Sequence, residues 1–153
     1  MAGCRFNGFF CVALLVTPAA WGAESGRLNV TVDSVADSSA TLRVCLFTSP
    51  EGFPGDPRRA FHCASVVPVA SSSTVVFDGV PFGPVAVSTY QDMNGNGTLD
   101  KNFIGIPLEP LGVSGTAPVS AGKPRYEKAA FPFNLDGAEV RVELRDPRRK
   151  ASP

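Results

Sequence analysis

The sequence has no excess of either charge, a single histidine, and no stretch that sustains an apolar period of 3.6 residues. Each deficit excludes something. The balance of 14 basic against 14 acidic residues argues against nucleic acid or an anionic membrane surface as the main partner. A lone histidine, His62, cannot build a histidine-rich metal centre, and beside Cys63 and near Arg58-Arg59 it reads as a surface residue. Without helical periodicity no substantial helix is expected, so a phosphate loop opening a helix is excluded as well. No Gly-x-Ser-x-Gly elbow and no Cys-x-x-Cys pair occurs.

The chain starts with a secretory-type leader. Arg5 precedes an apolar stretch from Phe9 to Val16, and the small residues Ala19, Ala20, Gly22 and Ala23 follow. Cleavage after Gly22 places Ala20 and Gly22 at the two small-residue positions. The apolar stretch is far shorter than the ~20 residues of a membrane span, and the two phenylalanines before Cys11 argue against a lipoprotein. Export to the periplasm or beyond is the expectation. Losing Arg5 leaves the mature chain one charge negative. The organisation expected is a signal peptide at 1–22, one β-sandwich domain at 23–146 and a basic, disordered tail at 147–153. Cys4 and Cys11 leave with the leader, so Cys45 and Cys63 remain as a pair in an oxidising compartment, where a disulfide is the default.

What is present is alternation. Leu28, Val30 and Val32 alternate with Asn29 and Thr31; Leu42, Val44 and Leu46 alternate with Arg43 and Cys45; Ala138, Val140, Val142 and Leu144 alternate with Glu139, Arg141 and Glu143. Each pattern predicts a strand with one core face and one wet face. Residues 63–69, 74–77, 85–91 and 130–134 are further strand candidates. Turn residues separate them at Asp37-Ser38-Ser39, at Ser71-Ser72-Ser73 and between Asp78 and Pro84. About seven short strands imply an all-β domain of two packed antiparallel sheets. Phe47, Phe53, Phe61, Phe77, Phe82, Phe131 and Phe133 read as core or turn anchors.

Residues 101–128 break this rhythm, being rich in Gly and Pro without a strand pattern. Phe103, Ile104, Ile106, Leu108, Leu111, Val113 and Tyr126 make the segment too apolar for a free loop, so it is expected to lie over one end or edge of the sandwich.

Just before it stands Asp92-Met93-Asn94-Gly95-Asn96-Gly97-Thr98-Leu99-Asp100. Oxygen-bearing side chains at relative positions 1, 3, 5 and 9, with glycine at 6, match the first part of an EF-hand-type calcium loop. Ca²⁺ takes six to eight oxygens at about 2.3–2.6 Å, and glycine permits the bend that turns the next carbonyl inward. The expected ligands are Asp92, Asn94, Asn96, the Thr98 carbonyl and Asp100. Position 12 is Phe103 where glutamate is usual, so Glu109 is the candidate for the missing carboxylate. So few acids suit an affinity of roughly 10⁻⁴–10⁻³ M. The plain alternative is a pair of Asn-Gly turns with polar tips. No residue presents itself as catalytic.

Three runs carry a family resemblance. They are Phe77-Asp78-Gly79-Val80-Pro81-Phe82-Gly83-Pro84-Val85-Ala86, then the Asp92–Asp100 motif, then Gly105-x-Pro107-x-Glu109-x-x-Gly112-x-Ser114. With the later Lys123-Pro124-Arg125-Tyr126-Glu127-x-Ala129-Ala130-Phe131, they make the chain from Leu28 to Leu144 resemble a bacterial family known as domain of unknown function 2141. The resemblance implies an exported sandwich of immunoglobulin-like or transthyretin-like type with no established activity. The first run also resembles the Pro-Gly-x-Tyr corner of carboxypeptidase regulatory-type domains. Gln91 stands where the family often has histidine. The function expected is a noncatalytic exported module in which a structural calcium loop orders a surface for a protein or carbohydrate partner. A hydrolase using scattered carboxylates or the metal is the alternative.

Overall fold

A computed structural model of the protein describes residues 24–117 and 123–146. The leader and the basic tail inferred from the sequence lie outside them. Eight strands run in chain order: β1 Ser25–Asp33, β2 Thr41–Phe47, β3 His62–Val66, β4 Ser72–Pro81, β5 Gly83–Asp92, β6 Leu111–Val113, β7 Phe131–Phe133 and β8 Ala138–Glu143. One short helix, α1 (Tyr126–Ala129), precedes β7. The fold is all-β, with two sheets that do not close into a barrel. A three-stranded sheet has the order β4-β1-β8, and a second has the order β3-β2-β5-β6 with β7 pairing the start of β5.

Pairing and turn length differ from expectation. The sheets are not wholly antiparallel: β8 runs parallel to β1, with Leu28 opposite Ala138 and Val32 opposite Val142. Alternation fixes which face a strand buries but not which neighbour it joins. The turn expected between Asp78 and Pro84 is also shorter. β4 stays paired to β1 as far as Pro81, and the chain changes sheets at Phe82 and Gly83. Gly83 takes φ +143° there, a backbone angle that L side chains rarely adopt.

The main core lies between the sheets. Leu28, Val30 and Val32 of β1 meet Leu42, Val44 and Leu46 of β2, with Phe77, Val85, Val87 and Val142 closing the layer. The opposite face of β2 and β5 is not wet, as alternation alone suggested. Cys45, Phe47 and Ala86 are buried there beneath Phe53, Val113 and Ala129. Phe53 bridges this second cluster, edge-on to Phe47 at 5.3 Å and to Tyr126 at 5.8 Å between ring centroids. The Cys45–Cys63 disulfide joins β2 to β3 at directly opposed positions.

Segment 101–128 is only partly the draped loop that was expected. Leu111 and Val113 form β6 on β5, and Tyr126 begins α1. Ser114 fixes this arrangement: its Oγ accepts from the Val87 N–H at 2.8 Å and donates to the Ala129 carbonyl at 2.7 Å. The nearer part does not lie down. Phe103 is 98% exposed, and Ile104, Ile106 and Leu108 are exposed with it on a hairpin closed by the Lys101–Pro107 bridge.

Candidate functional site

Strand β5 delivers Asp92 to the rim of the outer face, and the chain then folds back over that carboxylate. Asp92 is only 4% exposed. Its Oδ1 accepts from the N–H groups of Gly95 at 2.8 Å and Asn96 at 3.1 Å, and its Oδ2 accepts from Gly97 at 2.7 Å. Short polar side chains capture backbone donors a few residues ahead in this way, and here one carboxylate organises the whole bend. Gly97 is favoured by its φ of +78°, and it lets Arg43 Nη2 approach to 2.8 Å of where a Cβ would stand.

Glu109, also 4% exposed, closes the neck of the loop. One carboxylate oxygen accepts from Met93 N–H at 2.8 Å and the other from Asp100 N–H at 3.1 Å. From below, the Tyr90 hydroxyl donates to the Gly97 carbonyl at 2.9 Å. Burial pushes the Tyr90 phenol above its ordinary range; Arg43 opposes the shift, while Asp92, Glu109 and Asp100 add to it.

The structure therefore brings Asp92, Asn94, Asn96 and Asp100 around one bend, with Glu109 at its neck. Asn94 Nδ2 donates to Asp100 Oδ2 at 2.6 Å, and Asn96 Nδ2 donates to both Asp100 oxygens at 3.1 Å. The amide oxygens face the backbone instead. Asn94 Oδ1 accepts from Asn96 N–H, and Asn96 Oδ1 accepts from the Thr98 N–H and hydroxyl. A donor set of carboxylate and amide oxygens is the chemistry of a hard divalent ion such as Ca²⁺. To present that set, both amides must turn so that oxygen replaces nitrogen beside Asp100. Among the described residues no three His, Cys, Asp or Glu side chains gather closely enough to hold a metal by themselves. Amide and carbonyl oxygens would have to complete any shell.

The family described as "Uncharacterized protein conserved in bacteria (DUF2141)" covers residues 30–142. The chain belongs to this family. No curated protein and no solved structure matches it. In this family member Gln91 is no site residue. It is fully buried, its Oε1 accepts from the N–H groups of Ala36 and Asp37, and its Nε2 donates to the Asp37 carbonyl. The side chain points to the face of β5 opposite Asp92 and pins the β1–β2 turn. His62 sits exposed on strand β3, edge-on to Phe77 at 5.9 Å.

The sequence reading missed Arg43. It lies opposite Tyr90 in the β2–β5 ladder, under the loop, and its Nε is shielded from solvent with no hydrogen-bond partner. Leaving a buried donor unpaired costs about 1–3 kcal/mol. A signal was available: Arg43 shares its face with Cys45 and Phe47, residue types that suit a covered surface.

Proposed function

We propose that the protein is an exported, noncatalytic sandwich module, immunoglobulin-like or transthyretin-like, whose loop 92–100 takes a structural Ca²⁺. The observation that carries this reading is the gathering of Asp92, Asn94, Asn96 and Asp100 within hydrogen-bonding reach around a single bend. Two turns with polar tips would not need a buried aspartate at one end and a second aspartate bonded to both asparagines. Asp92, Asn94, Asn96, Asp100 and the Thr98 carbonyl would hold the ion, with Glu109 beside them. When bound, the ion would neutralise the loop's carboxylates and fix the path of the chain beyond Asp100. Export rests on the leader, and the disulfide agrees with an oxidising compartment.

The ordered surface would serve a protein or carbohydrate partner. The exposed apolar side chains of Phe103, Ile104, Ile106 and Leu108, directly after the loop, support that use. Thermal unfolding in millimolar Ca²⁺ and in chelator tests the reading. An ion that binds only the native state raises the midpoint by mass action, and Asp100→Asn should abolish the rise. Equal midpoints in calcium and chelator for the unmutated protein would remove the calcium assignment.

A further inference from the structure

Between loop 92–100 and the turn around Pro54 lies a cleft of about 140 Å³ on the outer face of the second sheet. Its floor is built from two opposed pairs of the β2–β5 ladder, Arg43 with Tyr90 and Cys45 with Ser88. Lys101 reaches over it: its Nζ lies 3.7 Å from where a Cβ on Gly55 would stand. We propose that this cleft binds a small oxyanion, a carboxylate or phosphate group, held between Arg43 and Lys101.

Two observations support the assignment. Neither cation has a hydrogen bond or ion pair from its side chain among the described residues. No carboxylate lines the cleft. Asp92, Glu109 and Asp100 keep their charge nearby, but they face the loop's N–H groups and the two asparagine amides and do not line the cleft. The floor hydroxyls donate to the walls, Ser88 to the Pro54 carbonyl at 2.8 Å and Tyr90 to the Gly97 carbonyl at 2.9 Å, so an anion would be held by the two cations alone. The charged side chains that line the cleft are thus Arg43 and Lys101, in a half-enclosed, partly apolar setting that suits an oxyanion better than a cation. The small volume admits inorganic phosphate or the acid end of a single sugar-sized molecule, and drug-sized ligands need a larger pocket.

The inference does not rest on calcium, because the loop wall is held by the Asp92 and Glu109 hydrogen bonds. The experiment is an amide-resolved NMR titration of the protein with sodium phosphate in chelator and with sodium D-glucuronate in both chelator and calcium. D-glucose is the neutral control. Saturable shifts centred on Tyr90, Thr98 and Lys101 are expected from at least one anion, and which anion responds identifies the preferred group. Arg43→Gln should weaken binding about tenfold, as loss of a charge-assisted contact does. Lys101→Gln should weaken it by a smaller factor, and Lys123→Gln should leave it unchanged. Lys101 is exposed, so its variant keeps the test decisive if Arg43→Gln fails to fold. The proposal is overturned if neither anion gives saturable shifts in any condition. It is equally overturned if glucose acts alike or if affinity survives Lys101→Gln intact. Binding in chelator would leave it standing even where calcium proves irrelevant.

Discussion

Glu109 spans the neck of the loop, one carboxylate oxygen on the Met93 N–H and the other on the Asp100 N–H, so that a single side chain ties the start of the bend to its end. Its position in the sequence marked it as a ligand to complete a coordination shell. Its position in the fold makes it a clamp that acts whether or not an ion is present.

Removing that clamp should release the loop. Hydrogen bonds to a charged acceptor contribute about 1.5–3 kcal/mol each, and two are lost together. Glu109→Ala is therefore expected to lower stability by about 3 kcal/mol, part of the loss being recovered because the freed loop amides can reach water. Urea unfolding gives the magnitude. Hydrogen exchange supplies the local signature: the Met93 and Asp100 amides should lose protection while those of β1 keep it. Unchanged protection at both amides would refute the clamp.

Ser114 makes a second prediction in the same stretch. It is buried, with its Oγ between the Val87 N–H and the Ala129 carbonyl. Ser114→Ala leaves both groups unpaired inside the protein, at about 1–3 kcal/mol for the exposed deficit. A loss near 2 kcal/mol in urea unfolding is expected. Ser114→Thr should fare no better if the added methyl finds no space, whereas Ser114→Cys, a poorer donor of similar shape, should fall between alanine and the parent.

How far the sequence could be read depended on which force did the deciding. Leu28, Val30 and Val32, or Leu42, Val44 and Leu46, announced their strands because a half-buried strand writes its burial directly into alternation. The cysteine pairing was equally plain once only two cysteines remained. Strand β6 was not legible: Leu111-Gly112-Val113 is too short for a pattern, and Gly112 is there for close approach, since a Cβ would lie 2.7 Å from the Glu143 carbonyl oxygen. The parallel pairing of β8 with β1 is a long-range choice that no local signal records. In the candidate site the loop's acids and amides were readable from their spacing. Arg43 left only the hint of sharing a face with Cys45 and Phe47, because its partners Tyr90 and Gly97 lie far away in the chain. Phe103 and Ile104 misled in the opposite direction, their apolar character suggesting burial that the hairpin does not provide.

The disulfide offers a prediction of moderate size. Cys45 and Cys63 are separated by 18 positions, and closing a loop of that order stabilises by about 3 kcal/mol on the chain-entropy account. The double variant Cys45→Ser, Cys63→Ser should lose about that much, with Cys45 also withdrawing from the cluster around Phe47 and Phe53. Reduction of the parent protein should bring its unfolding midpoint close to that of the variant. A reducing agent that leaves the midpoint unmoved would show that the bond contributes little beyond the pairing of β2 with β3.

Asn96→Asp should act with opposite signs in two conditions, and this separates an ion-binding loop from a mere turn. In the structure Asn96 Nδ2 donates to both oxygens of Asp100, an arrangement expected to persist in chelator. The aspartate variant removes those donors and sets a second carboxylate against the first, so stability should fall, by about 1 kcal/mol for partly exposed like charges. In calcium the added carboxylate is a better ligand than an amide, and affinity in such loops rises with ligand charge. The variant's midpoint should therefore climb more steeply with calcium than the parent's and overtake it at high concentration. If Asn96→Asp is destabilised equally in chelator and in calcium, the bend holds no ion, and its asparagines serve only to hold Asp100 in place.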